Sequence, residues 1–255
     1  MFQPHSLLWH YLWVAPNLLL GVFAVVLWRR GLTRSLRAFF CYAAFECLQW
    51  AILYPIDLVP SVPATLFWRA AWTGLLIESV LLFWLISDLV ADVFGSYPAL
   101  AHLGKLLIRW GGGLLLVTAT AIAAFAPMDN RFWFIPAVHI LQEAMYVVVS
   151  GLMLGLFATA GYFHLSWNRA SFGIAFGLAL NACVNLAGWA ISANGGMPNQ
   201  RNLLDLLDLA TFHAAVLIWF YYLLVPERIP ATPAQPLPES NLSLWNRELE
   251  RLLQQ

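Results

Sequence analysis

Residues 7–28 read LLWHYLWVAPNLLLGVFAVVLW, and Arg29 and Arg30 follow at once. At a rise of ~1.5 Å per residue, a helix of this length crosses the ~30 Å hydrocarbon layer of a bilayer. No Asp, Glu, Lys or Arg interrupts it, and two arginines stop it. Pro16 and Asn17 lie inside the run and are expected to kink it.

Six more apolar runs of spanning length follow: Ala38–Ile56, Thr65–Val90, Leu106–Ala126, Phe132–Tyr162, Ser171–Ala193 and Leu203–Val225. Turn-forming stretches such as Val59–Pro63, Ala126–Asn130 and Asn194–Pro198 separate them. Composition agrees. The 255 residues are 61% hydrophobic and only 10% charged, too few charges to coat a water-soluble surface of this size. The expected fold is all-α, a polytopic bundle of seven transmembrane helices over residues 1–225. Cys41, Cys47 and Cys183 all fall inside apolar runs with no disulfide or zinc spacing.

Orientation follows from the basic residues, which concentrate on the cytoplasmic side of short loops. Of the 13, all but Arg69, Arg131 and Arg201 fall at one end of the expected bundle. That end is read as cytoplasmic, so the N-terminus lies outside and the protein is a multi-pass protein of the cell membrane. The net charge is zero, so bulk electrostatics gives no sign of nucleic acid as a partner, and none is expected.

The informative side chains are polar ones placed where lipid should be. Glu46, Glu78, Glu143, Asn181, Asn185 and His213 fall near the midplane of their runs, and Gln49, His139, Gln142 and Asp208 lie nearer the outer side. An ionised group at that depth costs about 2.5–3.5 kcal/mol even on lenient insertion scales. These groups are therefore expected to face the bundle interior, protonated, hydrogen-bonded to Asn, Gln and His, or balanced by a bound cation. Two readings stand. In one, the carboxyls are interhelical glue, worth only about 0.6–2 kcal/mol per bond. In the other, they line a ligand pocket. His139 and Glu143, four apart on one helical face, and His213 are the candidates for a metal. Asn181 and Asn185 share a face at the same spacing, where bonding across helices is the simpler use.

Beyond residue 225 the composition changes. Pro226, Pro230, Pro233, Pro236 and Pro238 make 226–240 a stiff linker. Residues 241–255 read as a short amphipathic helix, with Leu242, Trp245, Leu249 and Leu252 on one side. It suits the inner membrane surface or a cytoplasmic partner protein.

The seven-run topology resembles the microbial rhodopsins. That resemblance implies a retinal-binding lysine in the last run, yet Lys105 is the only lysine in the chain, so retinal is excluded as cofactor. Helix number is also similar to the intramembrane zinc hydrolases of the ceramidase and adiponectin-receptor type, but their paired histidines on the last helix are reduced to His213. A three-plus-one-plus-three arrangement similar to the sugar transporters has its own marks. Pro16 matches Pro136, and Arg37-Ala-Phe-Phe echoes Arg169-Ala-Ser-Phe. The glutamine of that family after each proline is Asn17 and Ala137 here.

The functional expectation is a membrane sensor or receptor with a polar, acidic pocket, read out by a separate cytoplasmic protein. A proton- or cation-coupled transporter is the alternative, and an accessory subunit of a membrane complex or homo-oligomer the third. No nucleophile–base pair or phosphate loop marks an enzyme.

Overall fold

Backbone N–H and C=O groups inside hydrocarbon have only each other as partners, and an α-helix pairs them locally. The computed structural model describes residues 6–59, 61–95, 134–165, 167–194, 200–224 and 250–251, with scattered residues and one short run between 102 and 121. Six α-helices are described from end to end: α1 (Leu7–Arg29), α2 (Arg37–Leu58), α3 (Ala64–Val93), α4 (Phe134–Tyr162), α5 (Arg169–Asn194) and α6 (Gln200–Leu224). A single 3-10 turn, Leu32–Arg34, joins α1 to α2. All six helices are long and apolar enough to cross a membrane, and the described residues contain no strand.

Between α3 and α4, His102, Gly104, Leu106, residues 108–113, Val117 and Ala121 are helical. Gly111, Gly112 and Gly113 fall in the helical run 108–113. A Cβ at Gly104 would press on Val90, and one at Gly111 would come within 3.0 Å of Val148 and 3.6 Å of Phe83, so this segment packs on α3 and α4. The proline-rich 226–240 segment lies outside the described residues, as does 241–255 apart from Glu250 and Arg251, which are helical.

Local chemistry sets the helix ends. Ser6 caps α1 by accepting from the Trp9 N–H at 3.3 Å. Gly31, at φ +69°, takes the left-handed position that ends α1. The helix runs through Pro16, and Asn17 Nδ2 donates to the Trp13 carbonyl at 2.8 Å, next to the bond the proline cannot make.

The helices form a closed ring in chain order, α1 to α6 and back to α1, with α3 also touching α5 across the middle. Leu20, Phe23 and Leu27 of α1 point into it, while Leu18, Val22 and Val25 point out. On α3, Leu82, Leu85, Ile86 and Leu89 are buried, while Ile77, Val80 and Trp84 are exposed. A surface so apolar is a surface made for lipid.

An aromatic layer fills the middle of the ring. Trp219 is 1% exposed and donates its indole N–H to the Ile174 carbonyl at 3.2 Å. Its ring lies 5.2 Å from Phe39, 6.2 Å from Tyr42 and 6.4 Å from Phe212. Phe23 extends the layer, 5.7 Å from Phe39 and 5.1 Å from Phe220.

Helices α5 and α6 approach most closely because Gly173 and Gly177, one turn apart, leave room for Tyr222 and Trp219. A Cβ at Gly177 would collide with the Trp219 indole, whereas one at Gly151 on α4 meets open space. Overpacking of this kind costs about 1–3 kcal/mol. Gly177→Ala is expected to lower unfolding free energy in mixed micelles by that amount. Gly151→Ala is expected to leave it unchanged or slightly raised, since Ala is the better helix former.

Candidate functional site

Tyr42, Glu46 and Gln49 recur on α2 at spacings of four and three, so they share one face. That face meets Glu78 of α3, Gln142 and Tyr146 of α4, Asn181 of α5 and Asp208 of α6. Together with Trp13 and Asn17 of α1 and Trp50 of α2 they line a cavity of about 230 Å³. All six helices thus contribute. The cavity lies toward the N-terminal end of α1 and the C-terminal end of α2, away from the arginine cluster at Arg29–Arg37.

Six of the ten polar residues singled out in the sequence come together here: Glu46, Gln49, Glu78, Gln142, Asn181 and Asp208. Three do not line the cavity. Glu143 follows Gln142 by one position, hence roughly 100° around α4, and is half-buried elsewhere. Asn185 lies behind the wall and donates to Asn181 Oδ1 at 3.1 Å and to Thr211 Oγ1 at 3.1 Å, which ties α5 to α6. His213 sits beside Tyr11, ring centroids 5.7 Å apart, with Nδ1 buried and unpartnered. The His139 side chain lies outside the described residues. Among the described residues no set of His, Cys, Asp or Glu is grouped to hold a metal ion.

Tyr42, Tyr146, Asn17, Trp13 and Trp50 belong to the wall without having been singled out. The available signal was spacing: Tyr42 precedes Glu46 by four residues, and Tyr146 follows Gln142 by four. Tyr146 is central. Its hydroxyl donates to Asp208 Oδ1 at 2.7 Å and accepts from Gln142 Nε2 at 2.9 Å, which joins α4 to α6. Gly74 of α3 shapes the opposite wall, because a Cβ there would lie 2.6 Å from the Gln49 amide.

Three carboxyls line one space: Glu46 lies within electrostatic reach of Glu78 and Asp208, and Glu78 of Asp208, and no Lys, Arg or His is among the described residues of the wall. Some hydrogen-bonding capacity is also left over. Glu46 Oε1, Gln49 Oε1 and Trp50 Nε1 are buried with no partner, a state that costs about 1–3 kcal/mol per group when uncompensated. The wall therefore offers two acceptors, one donor and three carboxyls to whatever enters. An occupant with a positive charge, N–H donors for the two oxygens and one acceptor for the Trp50 indole would answer all of them.

Nearer the N-terminal end of α1, Trp13 meets Trp9 and Tyr54 edge to face, Trp50 stacks on Tyr54, and the Tyr54 hydroxyl lies 3.3 Å from His10 Nδ1. This is the aromatic belt of a membrane interface.

The Tyr146–Asp208 bond can be measured as a coupling. Interhelical bonds in membranes average about 0.6 kcal/mol and reach about 1.7. Tyr146→Phe and Asp208→Asn, alone and combined, are expected to show a non-additive term of this size in unfolding free energy. Strict additivity would mean that the two side chains act independently. No family model, curated protein or solved structure matches this chain.

Proposed function

We propose that this protein is a membrane receptor of seven spans, N-terminus outside and C-terminus in the cytoplasm, whose acidic cavity binds a small organic cation. The carrying observation is the cavity of about 230 Å³ that gathers Glu46, Glu78 and Asp208, with no basic residue among the described residues of its wall. Its volume lies below the roughly 300–1,000 Å³ typical of drug-sized ligands, which favours a compact solute. Its place toward the arginine-poor end favours entry from outside. Binding would bias the packing of the helices that share the wall, and a separate cytoplasmic protein docked on residues 241–255 would read the change.

Chain parity supports the seventh span. Ser171, at the start of α5, donates to Asp92 at the end of α3, so those two helix ends meet. The short 163–168 connection puts the end of α4 there too, so α4 must begin at the opposite end. The chain between Val93 and Phe134 therefore has to cross from one end to the other, and its described residues from 102 to 121 are helical. Arg30 and Arg169 line one cavity at the α3 end, which supports reading that end as cytoplasmic.

A cation-coupled transporter is the second reading, and the aromatic layer favours it. Phe39 lines the cavity at the arginine-rich end and Tyr42 the acidic one, so at α2 only one helical turn, ~5 Å, separates them. A barrier this thin would need only a small repacking to open.

One experiment tests both. A panel of primary and quaternary amines is screened by thermal shift on the purified protein, and the best binder is then followed in proteoliposomes. Glu78→Gln and Asp208→Asn are each expected to weaken binding about tenfold or more, the equivalent of 1.4 kcal/mol. Binding without flux is the receptor outcome. Flux that Glu78→Gln abolishes is the transporter outcome. If no amine binds more tightly to the wild type than to Glu78→Gln, the cation site is wrong in both readings.

A further inference from the structure

At the arginine-rich end, a second and larger cavity of about 710 Å³ opens between the end of α1 and the ends of α2, α3, α5 and α6. It does not depend on what the acidic cavity holds. Among the described residues four charged side chains line it, two of each sign: Arg30 just beyond α1 and Arg169 from α5, Asp88 and Asp92 from α3. The carboxylates are four residues apart and therefore share one face of α3. The guanidiniums come from other helices, so the two signs occupy different sectors of the wall.

Each sector is oriented by its neighbours. Arg169 lies over the Tyr221 and Tyr222 rings, 5.5 and 5.8 Å from their centroids. It is also the first residue of α5, whose N-terminal amides and dipole favour an anion. Asn168 holds that terminus by accepting the Ala170 N–H at 3.1 Å. On α3, Asp92 accepts from Ser171 Oγ in the first turn of α5, and Asp88, one turn earlier, lies within electrostatic reach of Arg37. Between the sectors the floor is apolar, formed by Leu36, Phe39, Leu85 and Ile174.

A simple anion would match the guanidiniums and face two carboxylates. A simple cation would do the reverse. A group carrying a phosphate and an ammonium a few ångströms apart matches both at once, and the apolar floor suits a glycerol backbone and the head of an acyl chain. The volume falls within the roughly 300–1,000 Å³ range of ligand sites. We propose that this cavity binds a phosphoethanolamine group, with the phosphate toward Arg30, Arg169 and the start of α5, and the amine toward Asp88 and Asp92. Phosphatidylethanolamine of the adjoining leaflet is the source the apolar floor favours; a soluble phosphoethanolamine has the same headgroup chemistry.

The test is native mass spectrometry of the full chain released from nanodiscs containing equal phosphatidylethanolamine and phosphatidylglycerol. Wild type is expected to retain phosphatidylethanolamine over phosphatidylglycerol. Arg30→Gln should lower that adduct about tenfold, the worth of one charge-assisted hydrogen bond. Asp88→Asn removes a negative charge from an exposed position and should invert the preference toward phosphatidylglycerol. Arg34→Gln, an equal charge change that does not line the cavity, should leave the adduct as in wild type. In a parallel arm, a thermal shift with O-phosphoethanolamine that Arg30→Gln abolishes, with no lipid adduct, would assign the site to a soluble ligand. Equal retention of the two lipids with no response to Asp88→Asn, or no adduct and no shift with either source, would overturn the proposal.

Discussion

A carboxyl group inside hydrocarbon has to turn inward, and the arrangement of this bundle depends on that constraint. Glu46, Glu78 and Asp208 sit on three helices, and each fixes the rotation of its helix about its own axis. Once α2 presents Glu46 to the interior, Tyr42 and Gln49 follow on the same face, and Leu48 and Ile52 are left to the outside. Once α6 presents Asp208, Thr211 and Ala215 are buried and Leu217 and Tyr221 are exposed. Polar groups are few, but each is worth several apolar contacts in setting orientation, because lipid tails are as apolar as leucine and discriminate little between one apolar face and another.

Below that polar layer the packing becomes dry and aromatic. Trp219 is held in three ways: by its hydrogen bond to the Ile174 carbonyl, by the space at Gly177, and by edge-to-face contact with Phe39. It is the point at which α2, α5 and α6 meet. The two cavities lie on either side of this layer, one walled by acidic and amide groups and the other by balanced charge. Helices α2, α3, α5 and α6 line both. Any rearrangement of the acidic cavity is therefore carried by the same rigid elements that shape the arginine-rich end.

Much of this was legible in the chain, and the misses follow a pattern. The helices α1, α2, α3, α5 and α6 begin and end within a few residues of the apolar runs that anticipate them. Six of ten polar candidates line the cavity. Glu143 does not, because depth along a helix axis says nothing of direction around it, and Asn185 shares the face of Asn181 but lies one turn further along α5. Glu143 has the right depth and the wrong angle. Tyr42 and Tyr146 escaped notice for the opposite reason. Tyrosine is common in apolar runs, and only a neighbour such as Asp208 makes its hydroxyl consequential. Gly74 and Gly177 matter solely because of Gln49 and Trp219, which lie far away in sequence.

The sequence by itself determined that this chain is helical, that it belongs in a membrane, and which polar residues lie deep in it. Those properties depend on consecutive residues and on one length, the thickness of hydrocarbon, so they can be read along a line. The tertiary structure alone decided which carboxyls face one another, which tyrosine joins α4 to α6, and where the cavities open. Those depend on helix rotation and on the choice of neighbours. Both are set by many weak contacts between residues distant in sequence, and no local pattern records their sum.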